Sequence, residues 1–357
     1  RRDPTGEHTP FGYSNGPRKP LRSQSHPSPV PRSLVQCSKH RSPTPIGFFT
    51  DPPHARNVTD GDIRLAVTTD AETLSRIRDP LAERGIHAEF VPTSERTVSL
   101  GSGPATAAFD VGFVFPPRLA EGGIADARHA IPWVNDREAV LRSRQKGETL
   151  ARLAAAGVAV PETIVVSNPV SERDLVDVFD QFDPPVVLKP NVTSRGVGVT
   201  RAHDVDSFLG ICDYLDLVHD YRATGDRSFL VQEFLPDARD YRVMVVDGTV
   251  VGGVERVQAR ESAEDTEADH DGQDGRWKHN VHRGGRAAAV DLPETVRERA
   301  RAAADALEIP WLGVDVLVTE DRAVVSETNA RPTIDDASKY DAGFWDDLAA
   351  LVRAQVE

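Results

Sequence analysis

The pattern of apolar and polar positions divides the chain into a patternless segment and a long alternation of strands and helices. Residues 1–60 show no apolar periodicity and are crowded with Pro, Ser, Arg and His. Such a segment cannot bury enough apolar surface to offset the entropy lost on ordering. We therefore expect residues 1–60 to be a disordered tail or foreign to the native protein. Met244 is the only methionine, and Val58, just before the first strand pattern, is a candidate GTG start codon.

The first regular part, residues 61–134, has the pattern of a small α/β domain. Strands are predicted at "DIRLAVTT" (62–69), "IHAEFV" (86–91) and "DVGFVF" (110–115), and a helix closed by Gly85 separates the first two. The part ends near "IPWVND".

The second part, residues 135–226, opens with one predicted helix, "EAVLRSRQKGETLARLAAAG" (138–157), whose last residue is a C-terminal capping glycine. A strand, "ETIVVS", and a helix opening at Ser171 follow. The stretch "PPVVLKPNVTSRGVGVT" (184–200) then predicts two short apolar strands joined by a polar loop that contains glycines.

The third part, residues 227–357, is richer in strands and has an α+β character. Predicted strands are "RSFLVQEFL", "YRVMVVDGTVVGGVERV", "WLGVDVLVT" and "AVVSETN", with the helix "PETVRERARAAADALEI" between the middle and last pairs. Asp-Gly between two β-branched runs predicts a hairpin with a type I′ turn. The acidic segment 261–275 is typical of a solvated loop.

Charge and composition narrow the class of protein. The chain has a net charge of −14, and a charge of +5 on residues 1–60 leaves −19 on the rest. A surface this acidic repels nucleic acid and anionic membranes, so we expect neither as a partner. Its excess of Asp and Glu over only four lysines in residues 61–357 is typical of halophilic proteins. The two distant cysteines support no disulfide or zinc site, and no run approaches the ~20 apolar residues of a membrane span. We expect a cytoplasmic protein.

Lys189 ends an apolar strand beside a loop in which Gly196 and Gly198 permit close backbone approach. A phosphate would satisfy its charge. A single glycine-rich loop is a weak signal, however, and a surface lysine at a strand end is the competing interpretation. Lys146, taken alone, is a solvated helix residue.

The stretch "FLVQEFLPDARDYRVMVV" (229–246) combines a strand end with alternating charges. The end of the strand at "QEFL" suits the edge of a purine ring, and Glu233 suits a ribose hydroxyl. Asp240 and Arg242 alternate, so both point to the same face of the following strand. The competing interpretation is an edge strand with a solvated face.

Three oxygen-bearing side chains lie on strands that otherwise have a buried pattern. Glu327 and Asn329 share one face of a strand, and Asp315 on the neighbouring antiparallel strand can lie opposite them. Hard oxygen ligands without His or Cys suit magnesium, which would relieve the repulsion between unpaired carboxylates. A helix cap, or an ion pair of Glu327 with Arg331, is the structural alternative.

The order of these parts resembles the ATP-grasp superfamily. The resemblance is carried by a lysine on a helix, "VVLKP…SRGVGV", "LVQEFL", "DYRVMVV", "VERV", "WKHNVHRGG", "GVDVL" and "ETNARP", in that order, over about residues 61–350. The segment "KHNVHRGG" is most similar to RimK-type amino-acid ligases, relatives of glutathione synthetase and of the lysine-biosynthesis carrier-protein ligases. The implied fold is a small N-terminal α/β domain followed by two α+β subdomains that clasp ATP.

The resemblance implies a role for each matching residue. Lys146 and Lys189 would contact ATP, and the loop 191–198, with Ser194, Gly196 and Gly198, would cover its phosphates. The remaining implied contacts are Gln232, Glu233, Phe234, Leu235 and Asp240 for the nucleoside, Lys278 and Asn280 for the terminal phosphate and metal, Asp315, Glu327 and Asn329 for magnesium, and Arg256 and Arg283 for the carboxylate or its acyl-phosphate.

The implied reaction joins a carboxylate to an amine at the expense of ATP, with two Mg²⁺ or Mn²⁺ ions as cofactors and glutamate as the amino acid by analogy. Lys278 stands where RimK-type ligases usually have arginine, and "NARPTIDDASKY" replaces the usual "N-x-S-P-G", which leaves the joined substrates open. A protein tail or carrier protein contacted by segment 261–275 is an alternative acceptor, and a homo-oligomer is compatible with the sequence. A catalytically silent nucleotide-binding regulatory protein with the same fold is the competing function.

Overall fold

The structure of the protein is a computed structural model that describes residues 61–69, 72–94, 97–98, 100, 109–193, 196–220, 226–257 and 286–357. The tail 1–60 and the acidic segment 261–275 lie outside the described residues, as do Ser194, Lys278, Asn280 and Arg283. In the part of the chain that is described, no helix is long and apolar enough to cross a membrane.

The first sheet is parallel and has the strand order β2-β1-β3-β4. Parallel neighbours need a crossover, which the two helices of this part provide. The elements are β1 (Ile63–Val67), α1 (Glu72–Ala82), β2 (Ile86–Phe90), β3 (Val111–Phe113), α2 (Leu119–His129) and β4 (Trp133–Val134). The three predicted strands and the helix between the first two are confirmed, while α2 and the two-residue β4 were not predicted.

Residues 138–157 form two helices, so the prediction of one helix is wrong. Helix α3 (Arg137–Arg144) and helix α4 (Lys146–Ala155) are separated by Gln145, whose backbone is extended at φ −86° and ψ 95°. The break has a tertiary cause. The N–H of Lys146 donates to the carbonyl of Asn191 at 3.1 Å, and the N–H of Gly147 donates to the Asn191 side-chain oxygen at 2.9 Å. These bonds replace those of a continuous helix and fix the start of α4 against the predicted phosphate loop.

The second sheet has the order β5-β8-β6-β7 and is antiparallel. Its strands are β5 (Thr163–Ser167), β6 (Val186–Pro190), β7 (Thr200–Ala202) and β8 (Ser228–Glu233), and its helices are α5 (Glu172–Phe179), capped by Ser171, and α6 (Val205–Asp220). Helix α6 was not predicted.

The third sheet is antiparallel, with the order β11-β10-β9-β12-β13. The elements of this part are β9 (Arg239–Val246), β10 (Thr249–Val257), β11 (Arg286–Ala289), α7 (Glu294–Leu307), β12 (Trp311–Val318), β13 (Ala323–Asn329), a 3-10 turn (Ala337–Lys339) and α8 (Phe344–Arg353). Asp247 and Gly248 have φ values of 45° and 74°, as a type I′ hairpin requires. Strand β9 is central, so the edge-strand interpretation of residues 239–246 is wrong.

Two apolar cores divide the described chain differently from the predicted parts. The first core joins the first sheet, helices α3 and α4 and the third sheet, and it includes Val67, Leu153 and Trp311. The second core belongs to the second sheet and includes Phe208 and Phe229. Helices α3 and α4 therefore pack with the first core rather than with residues 163–226. Strand β8, predicted to belong to the part that begins at residue 227, hydrogen-bonds between β5 and β6 because its apolar face completes the second core.

Asn135 connects the first sheet to the third. Its side-chain nitrogen donates to the carbonyls of Trp311 and Ala330, and its side-chain oxygen accepts from the N–H of Trp311 at 3.2 Å. The residue is 2% exposed and has a φ of 55°, a conformation that asparagine tolerates better than most residues. One amide thus fixes the start of β12 and the segment just after β13.

We expect Asn135→Ala to lower the free energy of unfolding by about 2–4 kcal/mol, because buried backbone groups lose their partners and alanine is strained at positive φ. Urea unfolding measures the change. Asn135→Gly separates the two causes, since glycine accepts the φ value but restores no hydrogen bond. A glycine variant as stable as the parent would show that the hydrogen bonds contribute nothing.

Candidate active site

A cleft lies between the second sheet and the third. Strands β6 and β8 contribute one wall, and β9, β12 and β13 contribute the other. The lining residues are Val187, Lys189, Gly196, Val199, Gln232, Glu233, Phe234, Leu235, Ala238, Asp240, Leu317, Ser326 and Glu327. Eight of the residues singled out from the sequence, Lys189, Gly196, Gln232, Glu233, Phe234, Leu235, Asp240 and Glu327, therefore face one cleft.

Lys189 is a buried cation, 8% exposed near the end of β6. Burial lowers the pKa of its ammonium group to about 8; the charge of Lys146 lowers it further, while the carboxylates of Glu327 and Asp315 oppose the shift. The interpretation as a surface lysine is wrong. An anion in the cleft would favour the charged form of Lys189.

Lys146 is buried as well, at the first position of α4. Its ammonium group donates to the carbonyl of Thr193 and lies 3.1 Å from Oε1 of Glu327. The interpretation as a solvated helix residue is therefore wrong. The two lysines form a cluster of charged side chains with Glu327 of β13, next to the predicted phosphate loop.

The glycines of the predicted phosphate loop have conformations that side chains disfavour. Gly196 and Gly198 have φ values of 65° and 76°. A Cβ atom at Gly198 would lie 2.8 Å from Cγ of Pro190. Glycine is therefore required for the loop to return along β6 into β7.

The predicted adenine hinge, residues 232–235, links the two sheets. The Gln232 side chain donates to the hydroxyl of Thr163 at 2.7 Å, and the carboxylate of Glu233 accepts from the N–H of Glu162 at 2.7 Å. The other carboxylate oxygen of Glu233 pairs with Arg322 in the turn between β12 and β13. Glu233 thus has partners next to β5 and in the turn between β12 and β13, and its contact with a ribose hydroxyl stays a prediction.

Arg201 on β7 lies over the hinge. Its guanidinium carbon is 5.0 Å from the centroid of the Phe234 ring, a cation–π contact that the sequence pattern did not suggest.

Four charged residues form an alternating cluster across strands β10, β9 and β12. Arg242 holds Asp315 with two hydrogen bonds of 2.8 Å. Nη2 of Arg256 lies 2.6 Å from Oδ1 of Asp240 and 3.0 Å from Oδ2 of Asp315. The strand register explains the cluster, because Asp315 pairs with Arg242 and Asp240 pairs with Arg256.

The cluster balances burial against opposite charge. Burial of Asp315, 4% exposed, raises the pKa of its carboxyl group, but Arg242 and Arg256 outweigh burial and hold that pKa below its usual range. Burial likewise lowers the pKa of Arg256, and Asp315 and Asp240 reverse the effect. The expectation of unpaired, mutually repelling carboxylates is therefore wrong for Asp315. Arg242 was not given a role from the sequence; only its alternation with Asp240 signalled its direction.

The three predicted metal ligands lie at neighbouring positions of β12 and β13. Asp315 is directly opposite Glu327, and Asn329 is opposite Gly313. Glu327 is paired with Lys146, while Oδ1 of Asn329 accepts from the N–H of Arg331 at 2.9 Å. The alternative pair of Glu327 with Arg331 is therefore wrong. Among the described residues no three His, Cys, Asp or Glu side chains form a metal cluster, yet two carboxylates and an amide are oxygen donors that fit magnesium completed by water and phosphate.

Comparison with known proteins places the chain in a family. A model of the RimK-like ATP-grasp domain matches residues 143–344. The chain is 29% identical over 228 residues to a probable alpha-L-glutamate ligase of Aliivibrio fischeri (strain MJ11), covering 61% of this chain and 65% of the relative. It is 30% identical over 215 residues to the ribosomal protein bS6–L-glutamate ligase of Escherichia fergusonii, covering 58% and 62%. The chain thus spans less than two thirds of the length of these relatives.

Solved structures confirm the ATP-grasp fold. The RimK domain ATP-grasp protein of Sphaerobacter thermophilus superposes with a TM-score of 0.55 at 22% identity, covering 82% of this chain and 99% of that one. D-alanine–D-alanine ligase of Bacillus anthracis complexed with ATP gives a TM-score of 0.58 at 17% identity, covering 83% and 97%. Because the family model matches more than half of its residues, the chain belongs to the RimK-like ATP-grasp family.

Proposed function

We propose that the protein is an ATP-dependent carboxylate–amine ligase that releases ADP and phosphate. The observation that carries the proposal is the pair of buried lysines beside Glu327: Lys189 and Glu327 line the cleft together with the hinge, and Lys146 is paired with Glu327. Two buried cations beside glycines of positive φ suit a polyphosphate. The names of the curated relatives support glutamate as the amino acid that is joined.

The proposed reaction has two steps. A carboxylate oxygen of the first substrate attacks the γ-phosphorus of ATP, the bond to the bridging oxygen breaks, and ADP leaves. The amine of the second substrate attacks the acyl carbon, phosphate leaves with the bonding electrons, and the amine loses a proton to give the amide. Lys189 and Lys146 would stabilise the charge on the phosphoryl oxygens, and the loop 191–198 would exclude water from the acyl-phosphate.

The nucleoside and the metal have candidate partners in the same cleft. We propose that the segment 232–235 contacts adenine and that Asp240 lies near the ribose. Asp315, Glu327 and Asn329 would hold one or two Mg²⁺ or Mn²⁺ ions, which supply positive charge at the phosphates when bound. Arg256, already shared between two carboxylates, would also bind the reacting carboxylate, with Lys278, Asn280 and Arg283 as further candidates. ATP as a substrate favours a cytoplasmic location.

The acceptor is either a small molecule or a protein. One relative is named for its action on ribosomal protein bS6, which favours a protein tail as one candidate for this chain. A catalytically silent nucleotide-binding protein is the competing function.

A turnover assay separates these functions. With Mg²⁺ and ATP, we expect ADP to form only when a carboxylate substrate and an amino acid, L-glutamate first, are both added, and mass spectrometry should detect the amide. Amino acids, short peptides and candidate protein tails form the substrate panel. A folded protein that binds ATP but gives no substrate-dependent ADP with any of them would support the silent alternative.

Lys189 should make ATP binding depend on pH. Its pKa of about 8 lies below the ordinary 10.5, so the ligand-free side chain loses its charge as pH rises through 8, whereas bound phosphate favours the ammonium form. We expect the Kd for Mg-ATP to rise roughly tenfold or more between pH 7.5 and 9.5, with proton uptake on binding. Calorimetry in buffers of different ionisation enthalpy measures both. Lys189→Arg should remove the pH dependence of ATP binding, and Lys339→Arg should keep it. An unchanged pH dependence in Lys189→Arg would show that Lys189 is not its cause.

Glu327→Gln should separate metal binding from folding. Glutamine still accepts a hydrogen bond from Lys146 but leaves this buried cation without its carboxylate partner, so we expect the ligand-free melting temperature to fall. Mg-ATP at a hundred times Kd should stabilise the parent by about 2–3 kcal/mol and the variant clearly less, because a ligand charge is lost. Glu148→Gln, which alters an exposed pair with Arg152 on α4, is the matched control. Equal Mg-ATP stabilisation in all three proteins would remove Glu327 from the metal site.

A further inference from the structure

Two arginines, Arg331 and Arg144, lie near each other outside the nucleotide cleft. Nη2 of Arg331 donates to the hydroxyl of Thr69 at 2.8 Å, and its buried Nε has no hydrogen-bond partner among the residues that the structure describes. Nη2 of Arg144 donates to the carbonyl of Pro117 at 2.9 Å. Within the described ranges, neither arginine has a carboxylate oxygen within 4.0 Å.

Such a pair is unusual in this protein. Residues 61–357 carry a net charge of −19, and the buried cations Arg256 and Lys146 each have an acidic partner within 3.1 Å. Arg331 and Arg144 instead lie close enough for their like charges to repel each other. A buried donor without a partner costs stability, so the arrangement suits a bound anion.

The position of the pair relates it to the reaction. Thr69 follows β1 and Pro117 follows β3, so both arginines reach the carboxyl-end edge of the parallel first sheet. Arg331 is two residues beyond Asn329, hence at most ~7 Å along the chain from a proposed metal ligand. It does not line the nucleotide cleft, where Lys189 faces the proposed phosphate position. It also lies in "NARP", the stretch that departs from the usual "N-x-S-P-G".

We propose that Arg331 and Arg144, with Thr69, form a subsite that binds a carboxylate of the substrate that does not react. This inference rests on the proposed ligase function and extends it to substrate recognition. A guanidinium group offers a planar pair of donors that matches a carboxylate, and Arg242 holds Asp315 in this way through Nε and Nη2. Nε of Arg331 is the open donor at the equivalent edge. The bound carboxylate belongs either to the amine substrate or to the acyl substrate.

The test measures binding without turnover. Calorimetry on the full chain with Mg²⁺ and a non-hydrolysable ATP analogue uses L-glutamate, its α-amide and its γ-amide, L-aspartate with its two amides, and L-alanine with its amide. We expect at least one acid to bind the parent about tenfold or more tightly than its amide. Arg331→Gln and Arg144→Gln should each weaken the binding of that acid by a similar factor and reduce the difference in affinity between the acid and its amide. N-acetyl-L-glutamate has no free amine and so cannot act as the amine substrate. If its binding also requires Arg331 and Arg144, the bound carboxylate belongs to the acyl substrate. If its binding does not require them, the bound carboxylate belongs to the amine substrate.

The controls keep this inference separate from the ligase proposal. Arg152→Gln should bind every probe like the parent, and the ATP analogue should bind all variants equally. Two outcomes would overturn the subsite: no acid preferred over its amide by the parent, or an acid preference that survives both Arg331→Gln and Arg144→Gln. A site that depends on the arginines but accepts only inorganic phosphate would also overturn it. An Arg331-dependent acid preference in a protein without amide-forming activity would instead leave the subsite standing and remove the ligase function.

Discussion

The site depends on the balance of buried charge across the third sheet. Asp315 is almost fully buried, and a carboxylate in that position is tolerable only because Arg242 and Arg256 contact it from two neighbouring strands. The same requirement pairs Lys146 with Glu327 at the next strand. Each of these charged groups therefore has a partner of opposite charge, and the proposed binding of magnesium and polyphosphate would exchange these protein partners for ligand partners. This arrangement also explains why a deeply apolar sheet carries so many ionisable groups.

The order of the strands in the third sheet brings these charged residues together. Strand β9 is central, so Asp240 and Arg242 have neighbours on both sides, and the antiparallel register places Arg256 against one and Asp315 against the other. The first core holds these strands together with the first sheet, while the second sheet, with its own core, carries Lys189 and the hinge. Polar contacts join the second sheet to the rest of the described chain. Glu233 with Arg322 and Lys146 with Thr193 are the kind of contacts that can be exchanged when a ligand enters.

Much of the fold could be predicted from the sequence because the signals are local. Apolar runs mark the strands, Asp247-Gly248 marks the hairpin, and the two-residue spacing of Glu327 and Asn329 fixes their common face. The break at Gln145 has only a weak local signal, Gly147, and its cause is the distant Asn191. The ion pairs were not predictable for the same reason. Arg242 and Asp315 are 73 residues apart in sequence, and only the pairing of β9 with β12 brings them together.

The proposed nucleotide site and the proposed carboxylate subsite are held in place in different ways. The residues proposed to bind ATP are positioned by the register of the strands, so a substitution among them would disturb several ion pairs at once. The edge of the first sheet is different, because the segments after β1, β3 and β13 meet there through side-chain hydrogen bonds such as that of Arg331 with Thr69. Asn135 anchors that segment by its backbone, at Ala330, and so leaves the neighbouring side chain free to vary. A substitution at position 331 would therefore change the proposed carboxylate subsite while the ion pairs of the proposed nucleotide site stay intact.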